Sequence, residues 1–89
     1  MKKNNEMVLH QYFIEWVQMY KVGAIRETTL EKYYISHRHL LTLAPELRLK
    51  DLNRKTYQQL MNDFAETHER QTTMDFHHQV KACVMDALD

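Results

Sequence analysis

The sequence holds one cysteine, one proline and one glycine in 89 residues. A single cysteine closes no internal disulfide, which excludes a stapled secreted scaffold and points to a reducing interior. It excludes a four-cysteine zinc module as well. So few glycines and prolines leave few breaks, which favours long helices, and no glycine-rich phosphate loop is present. Net charge is also missing, because twelve Lys and Arg balance twelve Asp and Glu. A strongly basic tail and a polyanionic sink are therefore absent. Neutrality does not exclude a nucleic-acid partner, since a local stripe of charge matters more than the sum, but it lowers the expected affinity. Six histidines let the charge rise below about pH 6.5. No run approaches the roughly 20 apolar residues of a membrane span. Met1-Lys2-Lys3 mimics the start of a signal peptide, yet Asn4, Asn5, Glu6, His10 and Gln11 interrupt any apolar core and no small-residue cleavage site follows. The chain reads as cytoplasmic, with no membrane partner.

The length and ordinary globular composition predict one domain over residues 1–89. Apolar residues recur three and four apart at Leu9, Tyr12, Phe13, Trp16, Val17 and Tyr20, the stripe of a first helix, with Gly23 placed for a left-handed turn after it. A second helix carries Leu30, Tyr33, Tyr34, His37, Leu40, Leu41 and Ala44 on one face. Thr28 and Glu31 suggest a capping box at its start, and Pro45 ends it. Leu47, Leu49 and Leu52 tack a connector onto the core. Asn53 is the expected cap of a third helix, with Leu52 and Tyr57 as a hydrophobic staple and Tyr57, Leu60, Met61, Phe64 and Ala65 as its stripe. Residues 66–71 read as a loop. Thr72 and Asp75 suggest a second capping pair, opening a fourth helix with Phe76, Val80, Cys83, Val84, Ala87 and Leu88 on one face. This helix runs into Asp89 without a stop signal, so the chain is expected to be cut from something longer. The fold class is all-α, four helices.

Chemistry has little support in this pattern. The acids are scattered over solvent faces, and the spacing suggests no Ser-His-Asp or Cys-His pairing. Cys83 on an apolar stripe reads as an inert buried thiol, because a nucleophile needs an electropositive, accessible setting. His37 and His39 fall on different sides of a helix, and His77 and His78 diverge by about 100°. None reproduces the i, i+4 pairing of a zinc-binding helix. His37 and His77 are expected to edge the core and His39 and His78 to be exposed, and no metal or cofactor is expected. The aromatics Trp16, Tyr20, Tyr33, Tyr34 and Phe64 read as packing rather than as platforms for bases. The polar faces say more. Thr29, Lys32, Ser36 and His39 form a stripe beside the apolar one on the second helix. Gln71, His78, Gln79 and Lys81 lie outside the stripe of the fourth, with Thr72 at its start. Uncharged donors mixed with a few cations suit phosphates and groove edges, and helix starts suit phosphates too. From pattern alone such faces read first as solvated surface.

The ordered set is more specific than any one motif. Phe13-Ile14-Glu15-Trp16 in the first helix is followed by Thr28-Thr29-Leu30 and Tyr33, then Leu49-x-x-Leu52, Tyr57-x-x-Leu60 with Phe64, and Thr72 with Phe76-His77, Val80-Lys81 and Ala87. From about Met7 to Asp89 this resembles the core-binding, SAM-like domain of phage-type tyrosine recombinases, the integrases. The resemblance implies an orthogonal four-helix bundle that forms half of a clamp on double-stranded DNA at the core recombination site. The catalytic domain of the same parent chain forms the other half. It implies that helices two and four face the DNA, which selects Thr28, Thr29, Lys32, Ser36, Thr72, His78, Gln79 and Lys81 as DNA-binding residues. The family's Arg-His-Arg cluster and tyrosine nucleophile belong to the following domain, so none of Tyr12, Tyr20, Tyr33, Tyr34 or Tyr57 is expected to be that nucleophile. The fragment is then a non-catalytic, monomeric binding module. The alternative is a helical protein–protein interaction module, which an exposed apolar patch would favour.

Overall fold

A computed structural model describes residues 6–88, with the side chain of Leu88 excluded. The reading of Met1 to Asn5 as a non-signal start, the Leu88 side chain on the fourth stripe and the end at Asp89 lie outside the described residues. Four helices appear in the order read from the sequence: α1 (Leu9–Tyr20), α2 (Glu27–Leu43), α3 (Arg54–Ala65) and α4 (Arg70–Leu88), with a 3-10 turn at Leu49–Asp51. Among the described residues there is no strand, only one isolated bridge between Val8 and Arg48. The chain is the all-α bundle that its periodicity predicts. Its radius of gyration, 12.4 Å, is close to the roughly 12 Å of a compact chain of this length.

The stripes meet in one core. Leu9, Phe13, Trp16 and Val17 of α1, Leu40 of α2, Leu60, Met61 and Phe64 of α3, and Phe76, Val80, Cys83 and Val84 of α4 are all buried. Leu30, Tyr33 and Tyr34 pack against this cluster from α2, and Leu47, Leu52 and Tyr57 from the connector and α3. Trp16 is 5 % exposed, and its indole N–H donates to the Asp86 carboxylate at 2.9 Å. The Lys21 ammonium lies over the Trp16 ring, 4.9 Å from its centroid. Three residues depart from the predicted stripes. Tyr20 is 54 % exposed at the last residue of α1, whose final turn packs on the core through Val17. Leu41 is exposed because the end of α2 packs through Leu40, Leu43 and Ala44. Ala65 is exposed, about 100° around the helix axis from the buried Phe64.

The helix ends show which local signals prevail. Asn53 caps α3 with a full capping box: its side-chain oxygen accepts the Thr56 N–H at 2.9 Å, and the Thr56 hydroxyl accepts the Asn53 N–H at 2.9 Å. Ala44 leaves the α region ahead of Pro45, ending α2. Gly23 takes φ +82°, the third residue of a turn closed by the Ala24 N–H on the Lys21 carbonyl. The two threonine boxes do not form. α2 starts at Glu27, so Thr28 lies inside its first turn, and the Glu27 carboxylate there favours the helix dipole. α4 starts at Arg70, so the loop shrinks to residues 66–69 and Thr72 lies inside the helix. Asp75 accepts from the Gln71 side chain at 3.1 Å instead of completing a cap with Thr72.

Aromatic and histidine rings join α2, α3 and α4. Phe64 and Phe76 stack face to face with centroids 4.1 Å apart, and His68 covers the other face of Phe64 at 3.9 Å. His39 meets Phe64 edge-on at 5.0 Å and His68 at 4.8 Å. His39 is therefore half-buried rather than exposed, because this ring cluster closes over it. His78 is exposed, and His37 and His77 are half-buried, as the sequence predicts. Burial holds His37, His39 and His77 below the ordinary imidazole range, with further lowering from His10, from His68 and Arg38, and from Lys81 and His78 respectively.

Two predictions follow from this packing. Trp16→Ala is expected to cost about 3–5 kcal/mol in urea denaturation, a large part of the roughly 5–15 kcal/mol that holds a domain together. For pH, the folded chain binds these three protons less readily than the unfolded chain. The histidine contribution to stability is full above the ordinary imidazole value and is lost progressively over the more acidic range below it. Urea midpoints measured across that range should decline, and His39→Gln should make the decline shallower.

Candidate nucleic-acid interface

α2 and α4 face each other with the same spacing. Lys32, Ile35, Ser36 and His39 stand at i, i+3, i+4 and i+7 on α2, and Thr72, Asp75, Phe76 and Gln79 repeat that spacing on α4. Side chains so spaced share one helix face, and the two faces enclose a groove of about 210 Å³. Its floor is aromatic, built from Phe64 and Phe76, and its walls are the polar members of both stripes. The Ser36 hydroxyl donates to the side-chain oxygen of Gln79 across this groove, linking α2 to α4. Ser36 is only 6 % exposed. It fixes the position of Gln79 and does not itself face solvent. Lys32 is exposed and has no ion-pair partner among the described residues.

Of the eight residues selected from the sequence, four come together here: Lys32, Ser36, Thr72 and Gln79. Thr28 and Thr29 are exposed in the first turn of α2. His78 is exposed on α4, outside the groove. Lys81 sits on the other flank of α4, in a groove shared with Arg54 and Tyr57 of α3. Two positions along a helix turn it by about 200°, so Gln79 and Lys81 cannot serve one face. Ile35, His39 and Asp75 line the α2–α4 groove without having been selected. The doubled i, i+3, i+4, i+7 spacing is the sequence signal that marks them.

The other reactive side chains are withdrawn from chemistry. Cys83 is fully buried and burial pushes its thiol up. The Tyr57 phenol is pushed up to about 12 by burial, donates to the His77 carbonyl at 3.2 Å and lies 2.9 Å from His77 Nδ1. Among the described residues no three His, Cys, Asp or Glu converge as metal ligands. No described helix is long and apolar enough to cross a membrane. What the α2–α4 face offers is hydrogen bonding and one unpaired cation.

No protein-family model and no curated protein matches the chain. Among solved structures it is similar to the crystal structure of the N-terminal domain of the prophage pi2 protein 01, an integrase, from Lactococcus lactis. The two share 32% sequence identity and a TM-score of 0.89, over 92% of this chain and 78% of that one. Identity at that level over nearly the whole bundle goes beyond a shared helical architecture, and it makes this chain a member of the integrase N-terminal domain family.

Proposed function

We propose that the chain is the core-binding domain of a phage tyrosine recombinase, gripping double-stranded DNA at the core recombination site as half of a clamp. The catalytic domain of the same parent chain completes the clamp and carries out strand cleavage, so the chain serves DNA integration and recombination without being an enzyme itself. The observation that carries this reading is the likeness, in sequence and backbone together, to the N-terminal domain of a prophage integrase. The α2–α4 groove supports it with chemistry of the right kind. Lys32 neutralises a phosphate, while Thr28 and Thr29 offer hydroxyls beside the free N–H groups of a helix start. Gln79, held by Ser36, and Thr72 present donors and acceptors at the groove wall, and His78 extends the contact along α4, whereas Lys81 lies on the other flank and takes no part in this face.

A titration of backbone amide shifts with duplex DNA tests this directly. Shift changes are expected along α2 and α4, with α1 quiet. Dissociation constants are expected in the range of about 10⁻⁴–10⁻⁶ M, since half a clamp makes few contacts. Lys32→Ala should flatten the slope of log K against log salt by about one unit and leave the fold intact, because Lys32 is exposed. An unchanged salt slope together with shifts confined to α1 would overturn the assignment of the DNA face.

A further inference from the structure

The groove between α3 and α4 differs in chemistry from the one between α2 and α4. It encloses about 570 Å³, and Leu52, Tyr57, Val84 and Met85 give it an apolar floor. Its polar groups are mostly satisfied within the protein. The Asn53 side-chain oxygen is held by the Thr56 N–H, Gln58 donates to Asn62, and the Tyr57 hydroxyl is engaged with His77. The two cations on its walls, Arg54 and Lys81, have no ion-pair partner among the described residues. No carboxylate lines it, whereas the neighbouring grooves each carry one or more: Asp75 beside α2, Asp86 below Trp16, and Glu46 with Asp51 near Val8.

We infer that this groove docks an acidic, amphipathic segment of a partner protein, with an apolar side chain on the floor and flanking carboxylates on Arg54 and Lys81. The charge complementarity is one-sided, since the unmatched groups in the groove are both positive. Arg accepts a carboxylate through two parallel N–H···O bonds, and Lys adds a point charge. The apolar floor separates a peptide from a nucleic acid. A phosphodiester brings charge without an apolar body, and would leave Leu52 and Met85 uncovered. Arginine, methionine and tyrosine are residue types enriched where proteins meet, and the flexible thioether of Met85, 59 % exposed, adapts to the shape of the anchor. An amphipathic helix laid in a groove places apolar anchors at i, i+3 or i+4 with charges beside them, which is the pattern this groove complements. The inference stands apart from the DNA reading, because Arg54 belongs to α3 and takes no part in the α2–α4 face.

The test is an amide-shift titration of the 89-residue chain with a synthetic helical peptide carrying leucine at i and i+4 and glutamate at the flanking positions. The same peptide with every glutamate replaced by lysine is the control, and a DNA duplex is the third probe. The acidic peptide is expected to shift Arg54, Gln58, His77, Lys81 and Met85, and the lysine peptide to leave them unmoved. Arg54→Glu should weaken the acidic peptide about tenfold or more, the loss of a charge-assisted pair. That substitution suits the fold, because a carboxylate in the first turn of α3 favours the helix dipole. Met85→Asp, on an exposed position, should weaken the same peptide independently. Equal shifts from both peptides, no shift from either, or groove shifts from the duplex alone would each overturn the inference, the last by identifying a phosphate contact. DNA shifts along α2 remain readable in the same experiment, so the two readings fail separately.

Discussion

Phe64 and Phe76 lie face to face across α3 and α4, and the junction of α2, α3 and α4 is built on that stack. Two rings at 4.1 Å with nearly parallel planes fix both the separation and the rotation of the helices that carry them. His68 extends the stack on one side, and His39 closes on its edge from α2. The third helix of this junction is therefore positioned by the same rings. Those rings are also the floor of the α2–α4 groove, so the depth of the polar face is set by an apolar contact. The link between Ser36 and Gln79 lies beside them and adds direction to the packing. A hydroxyl and an amide so buried leave an unpaired polar group if α2 rotates, which is a cost that ring stacking alone does not impose.

α4 is divided by this arrangement into faces with different surroundings. Phe76, Val80, Cys83 and Val84 face the core. Thr72 and Gln79 face α2, while His77 and Lys81 face α3. The outer face of α4 stays open to solvent, and Met74, His78 and Ala82 lie on it. Two grooves of different chemistry then share one helix without sharing residues. The groove toward α2 contains an acid, a cation and uncharged donors. The groove toward α3 pairs an apolar floor with cations alone.

Much of this was legible in the sequence where the information is local. The Asn53 cap, the Pro45 stop and the four apolar stripes depend on residues within a turn or two of one another, and the structure contains them, with Tyr20, Leu41 and Ala65 as the departures among the described residues. The threonine boxes failed for a physical reason. Thr28 with Glu31, and Thr72 with Asp75, have the spacing of a capping box, but a threonine and an acid three apart also fit inside a first turn. The true starts are set elsewhere, by the turn from Lys21 to Ile25 and by the Glu69 carbonyl, which accepts the Thr73 N–H. The half-burial of His39 and the pairing of Ser36 with Gln79 bring together residues 29 and 43 positions apart, which no local pattern encodes. The separation of Lys81 from Gln79, in contrast, was available from helix geometry alone.

Zero net charge in a proposed DNA-binding domain is a constraint on how it works rather than an anomaly. Arg48 and Lys50 are engaged by Glu6, 3.0 and 3.1 Å away, and Lys21 is spent on the Trp16 ring, so these cations contribute to the fold. Lys32, Arg54 and Lys81 stand without ion pairs among the described residues, as do Arg26, Arg38, Lys55 and Arg70, and the first three lie on the walls of grooves. A chain without net charge makes little long-range field, so these cations act on what is already close to them. Within the proposed clamp, weak binding by such a surface is no handicap. A tethered second domain raises the effective concentration of each half for the other, and two weak grips multiply into a strong one.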